Sequence, residues 1–210
     1  MENNPVFVVL AGGESKRMGL AKGLLKYQHT FWILEQLNRI SKTSVKTVYI
    51  GLGFNYQHYF DAISWLEKAQ NEFVDYLTLR VKVILNPNPE LGSFSTLQAV
   101  LNTIETNCDI LINPIDVPIL KLTDFNKIIR TENEVVIPIF KNKKGHPIKI
   151  TSTFSRRLSA INSSDKNARL DFQIKEISAD HICIVEVNDR SVVKNINTKK
   201  DWISFLKEPI

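Results

Sequence analysis

The passage from an apolar run, Pro5–Leu10, straight into Ala11-Gly12-Gly13-Glu14-Ser15-Lys16-Arg17-Met18-Gly19 constrains this chain more than any other feature. Pro-Val-Phe-Val-Val-Leu shows no polar alternation, which describes a strand buried on both faces, as in the middle of a parallel sheet. The glycines that follow let the chain turn sharply and aim backbone N–H groups at an anion. Arg17 and Lys22 then add a forked cation and a mobile point charge, a pairing that suits a nucleoside triphosphate. The spacing is neither that of a Walker loop, which ends in Gly-Lys-Ser/Thr, nor that of a G-x-G-x-x-G turn opening directly into a helix. An ordinary glycine turn beside surface lysines is the plainer alternative. It leaves unexplained why Gly12, Gly13, Gly19, Arg17 and Lys22 all fall between the strand and Gly23-Leu24-Leu25.

Further along, strand-like runs at Pro5–Leu10, Val45–Ile50, Val81–Leu85, Asp109–Asn113, Val135–Phe140 and Ile182–Val187 alternate with helix-like runs. The latter fall near Thr30–Ile40, Phe60–Leu79, Phe94–Ile104, Thr123–Arg130, Thr153–Ile161 and Lys200–Leu206. This order predicts a Rossmann-like three-layer α/β/α fold with a mostly parallel sheet, formed as a single domain over residues 1–210, with ligands beyond the C-terminal ends of the early strands. Asp61 to Arg80, with Ile63, Leu66, Phe73 and Leu77, reads as one long packed helix. At 210 residues, 43% of them apolar, the chain can bury a full core. The net charge of +5 suits anionic substrates. The clusters Lys141/Lys143/Lys144 and Lys199/Lys200 lack interleaved aromatics, so no nucleic-acid partner is expected. No run of about 18 apolar residues occurs, and Met1-Glu2-Asn3-Asn4 begins no leader, so the expectation is a cytoplasmic protein with no membrane partner. Cys108 and Cys183 stand alone in apolar surroundings and read as reduced core residues.

Four later segments carry chemistry. In Asn86-Pro87-Asn88-Pro89-Glu90-Leu91-Gly92-Ser93-Phe94-Ser95, the prolines end a strand and Gly92 frees the backbone. Ser93 or Ser95 can cap the following helix or meet ribose and phosphate. In Leu111–Pro118, an apolar strand presents Asp116 at the sheet's edge, where a carboxylate can bind hydrated Mg²⁺ or cap a turn. Gly145-His146-Pro147 offers one histidine that could be structural or ligand-facing. Arg169, after Ser164-Asp165-Lys166-Asn167-Ala168, could meet an anion or pair with a surface carboxylate.

Together these segments resemble the molybdenum cofactor nucleotidylyltransferase family, through Leu10–Gly19 with Lys22, Gly92 to Leu97, Asp116-Val117-Pro118, Gly145-His146-Pro147, Asp165–Arg169 and Val193–Thr198. The resemblance is to its cytidylyltransferase-like branch, and it implies a nucleotidyltransferase fold. Under it Leu10, Ala11, Gly12 and Gly13 approach base and ribose, and Arg17 and Lys22 hold the phosphates. Gly92 and Ser95 grip the nucleotide, while Gly145, His146 and Arg169 face the acceptor. Asp116 and Asn195 would place Mg²⁺; an amide brings no charge, so a structural turn at Asn195 and Asn197 stays open. Arg17, Lys22 and Asp116 are then the catalytic group.

The implied reaction moves a nucleoside monophosphate from an NTP, CTP by branch, to the phosphate of molybdopterin, releasing pyrophosphate. A molybdoenzyme or delivery protein would be a further partner. Gly12 is the residue of the guanylyltransferase branch, which keeps GTP open. Ser164, Asn167 and Lys199 depart from the pattern. A sugar phosphate or other phosphorylated small-molecule acceptor, or a nucleotide-binding protein with weakened turnover, is the alternative.

Overall fold

The computed structural model describes residues 4–105 and 107–208. In chain order its strands are β1 (Val6–Ala11), β2 (Lys26–Tyr27), β3 (Thr30–Phe31), β4 (Thr47–Leu52), β5 (Val74–Tyr76), β6 (Leu79–Leu85), β7 (Ile110–Pro114), β8 (Val135–Phe140), β9 (Lys143–Lys144), β10 (Ile148–Ile150) and β11 (Ile182–Glu186). The helices are α1 (Trp32–Ile40), α2 (Tyr56–Ala62), α3 (Trp65–Asn71), α4 (Ser93–Leu101), α5 (Leu122–Arg130), α6 (Ser152–Ser159), α7 (Leu170–Lys175) and α8 (Lys199–Leu206).

The apolar β1 lies where its pattern demands, between β4 and β7 and parallel to both. The large sheet runs β11-β8-β10-β7-β1-β4-β6-β5, with β9 folded back on β8 and β2–β3 a separate small hairpin. Of its pairings, β1–β4, β1–β7, β4–β6 and β8–β11 are parallel; β5 and β10 run against their neighbours. Alternate residues of β1 feed opposite faces, as strand geometry requires. Phe7 and Val9 join the core under α1, α5 and α8, whereas Val6 and Val8 join the core under α4 and α6. Each such buried side chain contributes roughly 1.5–3 kcal/mol, and the result is the expected three-layer fold with a mostly parallel sheet.

The span expected to be one helix over Asp61–Arg80 is instead α2, α3 and the β5–β6 hairpin, turned at Leu77 with φ 56°. Val74-Asp75-Tyr76 and Leu77-Thr78-Leu79-Arg80-Val81 each alternate apolar with polar residues, a period of two that suits a strand on either side of a turn. The four apolar residues also could not share one face. Ile63 and Leu66 are buried under one side of the sheet, Phe73 packs edge-on against Tyr49 on the other, and Leu77 is exposed. A stack of Trp65 on Tyr76, with centroids 5.0 Å apart, fastens α3 to β5.

β10 and α7 were not foreseen. β10 is three residues long and carries a buried lysine, Lys149, whose ammonium donates to Asp109 Oδ2 (2.9 Å) and the Ile129 carbonyl (3.2 Å). A strand this short with a central charge leaves little pattern to read. Cys108 is buried and Cys183 half-buried on the edge strand, and neither is in a disulfide. Among the described residues no helix is long and apolar enough to cross a membrane.

Gly145 sits where the β8–β9 hairpin crosses the turn at Val192. Its N–H donates to the Pro138 carbonyl (2.9 Å), and a Cβ here would overlap the Val192 carbonyl oxygen. Backbone cannot yield as a flexible side chain can, so Gly145→Ala is expected to destabilise the fold by about 2–3 kcal/mol. Urea denaturation followed by circular dichroism checks this; a midpoint equal to that of the parent would show that the hairpin moves freely.

Candidate active site

A cleft of about 700 Å³ opens at the C-terminal ends of β1 and β7. The loop after β1 forms one wall. Met18 is buried and pins it, and the amides of Met18 and Gly19 donate to the Ser15 carbonyl (2.9 and 3.1 Å). Gly12 is packed so closely that a Cβ would lie 2.5 Å from Thr96 Oγ1, while Gly13 faces open space. Arg17 is exposed on the rim. Opposite, Gly92 adopts φ +89° at the entry to α4, a conformation that disfavours a side chain.

Lys22 occupies the centre. Its Nζ donates to Asp116 Oδ2 (2.7 Å) and to Asn197 Oδ1 (2.8 Å), and the Lys22 and Asp116 side chains are only 15% and 19% exposed. Each partner is held by its own scaffold. Lys22 opens a 3₁₀ turn whose next residue, Gly23, donates its N–H to the buried Tyr59 hydroxyl (3.2 Å); a Cβ there would lie 2.7 Å from that oxygen. Burial pushes the Tyr59 phenol well above its ordinary range, so the hydroxyl stays neutral.

Asp116 follows β7 in a turn fixed by four bonds. Ile115 N–H donates to the Leu10 carbonyl (2.9 Å), Trp32 Nε1 to the Ile115 carbonyl (2.7 Å), Asn113 Nδ2 to the Val117 carbonyl (2.8 Å) and Ile196 N–H to the Asp116 carbonyl (2.9 Å). Asn197 is placed by the N-terminus of α8. There Thr198 and Asp201 form a capping box, and Asp201 Oδ2 also accepts from the Asn197 amide (3.0 Å). Hydrogen bonds from Thr198 and the Asn197 amide hold the Asp201 carboxyl below its ordinary range.

The far half of the cleft is lined by His146, Ile148, Ala168, Arg169 and Asp171. His146 Nδ1 lies 3.3 Å from the Ile112 carbonyl. A carbonyl only accepts, so this contact assigns the proton to Nδ1 and leaves Nε2 as an acceptor. Burial lowers the His146 pKa from 6.5, against smaller opposing effects of the Ile112 bond and Asp116. Arg169 is turned onto Asp171 through paired bonds of 3.0 and 3.1 Å, and both side chains are largely exposed.

Leu10, Ala11, Gly12, Gly13, Arg17, Lys22, Gly92, Asp116, His146 and Arg169 thus share one cleft. Three residues expected in it are placed elsewhere. Ser95 is buried: its Oγ donates to the Gly92 carbonyl (2.8 Å) and accepts from Asn86 Nδ2 (2.8 Å), fastening the loop. Thr96, one residue on, borders the cleft wall and is buried too, its Oγ1 accepting from Asn86 Nδ2 (3.0 Å). Gly145 lies beneath Val192, and Asn195 is exposed with its amide 3.5 Å from the Val193 carbonyl. Asn197 takes the cleft position because the Thr198–Asp201 box anchors it, whereas among the described residues the Asn195 side chain makes only the long exposed bond to Val193. The T-x-x-D spacing after Asn197 was the available sequence signal, whereas Tyr59 gave none. Among the described residues no group of three or more His, Cys, Asp or Glu could hold a metal.

A three-layer sheet with a glycine loop facing a strand-end carboxylate is the architecture of nucleotidyltransferases, and known proteins agree. Residues 7–178 match the MobA-like NTP transferase domain, and the chain belongs to that family. It is 20% identical over 201 residues to a molybdenum cofactor guanylyltransferase of Xanthomonas euvesicatoria pv. vesicatoria (strain 85-10), covering 96% of this chain and 94% of that protein. Rv0371c of Mycobacterium tuberculosis H37Rv, solved in complex with manganese, superposes with TM-score 0.72 at 18% identity, over 98% of this chain and 100% of that one. Molybdopterin-guanine dinucleotide biosynthesis protein A of Archaeoglobus fulgidus gives TM-score 0.62 at 15% identity, over 95% of each chain. The chain is a nucleotidyltransferase of the MobA-like type.

Because the His146 pKa is depressed in the folded protein, only the unfolded chain takes up a proton there as pH falls below 6.5. His146 is therefore neutral to stability above that pH and costs increasing stability below it, the cost levelling off once the folded pKa is reached. The His146 ring resonance, assigned by its loss in His146→Gln, should titrate below 6.5. That variant should lose less stability than the parent between about pH 6.5 and 5. A titration at or above 6.5 would contradict the buried neutral ring.

Proposed function

We propose that this enzyme transfers a nucleoside monophosphate from an NTP to the phosphate of molybdopterin and releases pyrophosphate, with CTP as the nucleotide. The observation that carries the reading is the convergence of Lys22, Asp116 and Asn197 at the sheet's edge, facing the glycine loop. Leu10 to Gly13 and Thr96 border the space for base and ribose, and Arg17 and Lys22 face the phosphates.

One carboxylate and one amide oxygen directed at a single point fit Mg²⁺, which takes one or two protein oxygens and completes its shell with water and phosphate. When bound, Mg²⁺ would neutralise charge on the triphosphate and align its α-phosphorus. Asp116 and Asn197 would hold it, and Asp201 keeps Asn197 in register. The acceptor phosphate forms a bond to the α-phosphorus as the α–β bridging bond breaks, and pyrophosphate carries away the charge. That phosphate is already anionic at neutral pH, so no general base is needed. His146 offers the acceptor molecule a hydrogen-bond acceptor, and Arg169 offers it a guanidinium once the exposed pair with Asp171 opens; such exposed pairs are worth little.

His146 and Arg169 in the far half of the cleft support the cytidylyltransferase-like reading. One observation favours GTP as a second reading. Gly12 is closed over by Thr96, leaving no room for the alanine of the cytidylyltransferase branch, and the Xanthomonas relative is a guanylyltransferase.

The test is pyrophosphate release and product mass with CTP, GTP, ATP and UTP, each with molybdopterin and with a panel of sugar phosphates. CTP with molybdopterin should be most efficient. Preference for GTP would move the protein to the second reading, and transfer to a sugar phosphate alone would reject the acceptor. Asp116→Ala should keep its circular dichroism and lose about 10²–10³-fold in turnover; unchanged metal-dependent turnover would remove Asp116 from the mechanism.

A further inference from the structure

The position that the proposed reading gives to a divalent cation is filled by a side chain of the protein itself. Lys22 Nζ lies 2.7 Å from Asp116 Oδ2 and 2.8 Å from Asn197 Oδ1, so both oxygens already point their lone pairs at one positive charge. Of the other cations on the cleft wall, Lys16 pairs with Glu14 (3.0 Å) and Arg169 with Asp171 (3.0 Å), while Arg17 lies exposed on the rim. His146, the neighbouring titratable ring, is neutral.

We propose that Lys22 is a tethered counter-cation that closes the metal position until a triphosphate draws it away, so that nucleotide and divalent metal enter together. The inference rests on the nucleotidyl-transfer reading of this cleft and adds an order of events to it. The backbone at Lys22 is locked, because Gly23 is wedged against Tyr59 and Leu25 N–H donates to the Lys22 carbonyl (3.2 Å). The flexible stem is free to swing, as lysine's four-carbon chain allows.

In the nucleotide-free state the ammonium already neutralises Asp116. An incoming dication would meet a neutral pair and, at about 4 Å from the ammonium, a repulsion worth roughly thirtyfold in affinity even in water. A triphosphate reverses the balance, since Lys22 shares the cleft with Gly13 and Arg17. Its phosphates offer the ammonium a more highly charged partner and supply the oxygens that two protein ligands leave lacking.

Mn²⁺ binding, read from the loss of the free-ion EPR signal, tests this without turnover. It is measured for the parent, Lys22→Met and Lys22→Arg, each alone and with α,β-methylene-CTP or the corresponding GTP analogue. The parent alone should bind Mn²⁺ weakly, and an analogue should tighten it at least tenfold beyond the Mn²⁺ that the same analogue holds without protein. Lys22→Met alone should bind Mn²⁺ at least tenfold more tightly than the parent alone, with a Mn²⁺-dependent rise in Tm, and adding Asp116→Asn should abolish the gain. Lys22→Arg keeps the charge and should stay weak.

Mn²⁺ binding by the parent that the analogue does not raise beyond its own chelation measured without protein, while calorimetry shows the analogue bound, would overturn the closure and leave the nucleotide site standing. This comparison decides the matter even if Lys22→Met does not fold. Failure of both analogues to bind at all would overturn the reading of the site, and the closure with it.

Discussion

One ammonium group, Lys22 Nζ, joins segments that lie 94 and 175 residues away along the chain. Taking a charge this far out of water is costly unless its partners are already in place, and removing one partner strands the other. The surrounding structure supplies those partners. β1 ends in the glycine loop that leads to Lys22, β7 ends in Asp116, and the capping box of α8 fixes Asn197. Two backbone bonds bring these ends together: Ile115 N–H to the Leu10 carbonyl and Ile196 N–H to the Asp116 carbonyl. The buried central strand thus serves function directly, because the register between β1 and β7 sets where Asp116 meets Lys22.

The cleft divides its chemistry along the same line. On the glycine-loop side the groups are backbone, Arg17 and the Thr96 hydroxyl; on the far side they are a neutral imidazole, apolar Ile148 and Ala168, and a readily opened Arg169–Asp171 pair. Under the proposed reading the glycine-loop side would meet the phosphates with fixed positive charge, as preorganised stabilisation of a charged transition state requires. The far side would distinguish acceptors by shape, by hydrogen bonding and by the Arg169 guanidinium.

Much of this was legible in the sequence, for physical reasons particular to each segment. Val6–Ala11 has one reading because an unbroken apolar run marks a strand buried on both faces, and Asp116 stands out as a carboxylate closing an apolar strand. Where the reading slipped, the deciding contact was non-local. Ser95 and Thr96 are adjacent hydroxyls about 100° apart around α4; Asn86 donates to both, and the bond from Ser95 to the Gly92 carbonyl turns Ser95 into the loop while Thr96 borders the cleft. Gly145 looked like a ligand-facing glycine, yet its requirement comes from Val192, 47 residues away along the chain. Asn195 and Asn197 differ through Asp201, and the 61–80 span hid a hairpin because its apolar residues also fitted a helical period.

Under the proposed reading the Asp116–Asn197 position, held by Lys22 in the free protein, receives the divalent cation of a bound nucleotide. Crystals grown with a non-hydrolysable NTP analogue and Mn²⁺, measured at the manganese absorption edge, test it most directly. The account predicts an anomalous peak at direct ligand distance, about 2.1 Å, from an Asp116 oxygen and from nucleotide phosphate oxygens, with the Lys22 ammonium moved onto the phosphates. A manganese peak away from Asp116, or a nucleotide bound with Lys22 still bridging Asp116 and Asn197, would contradict it.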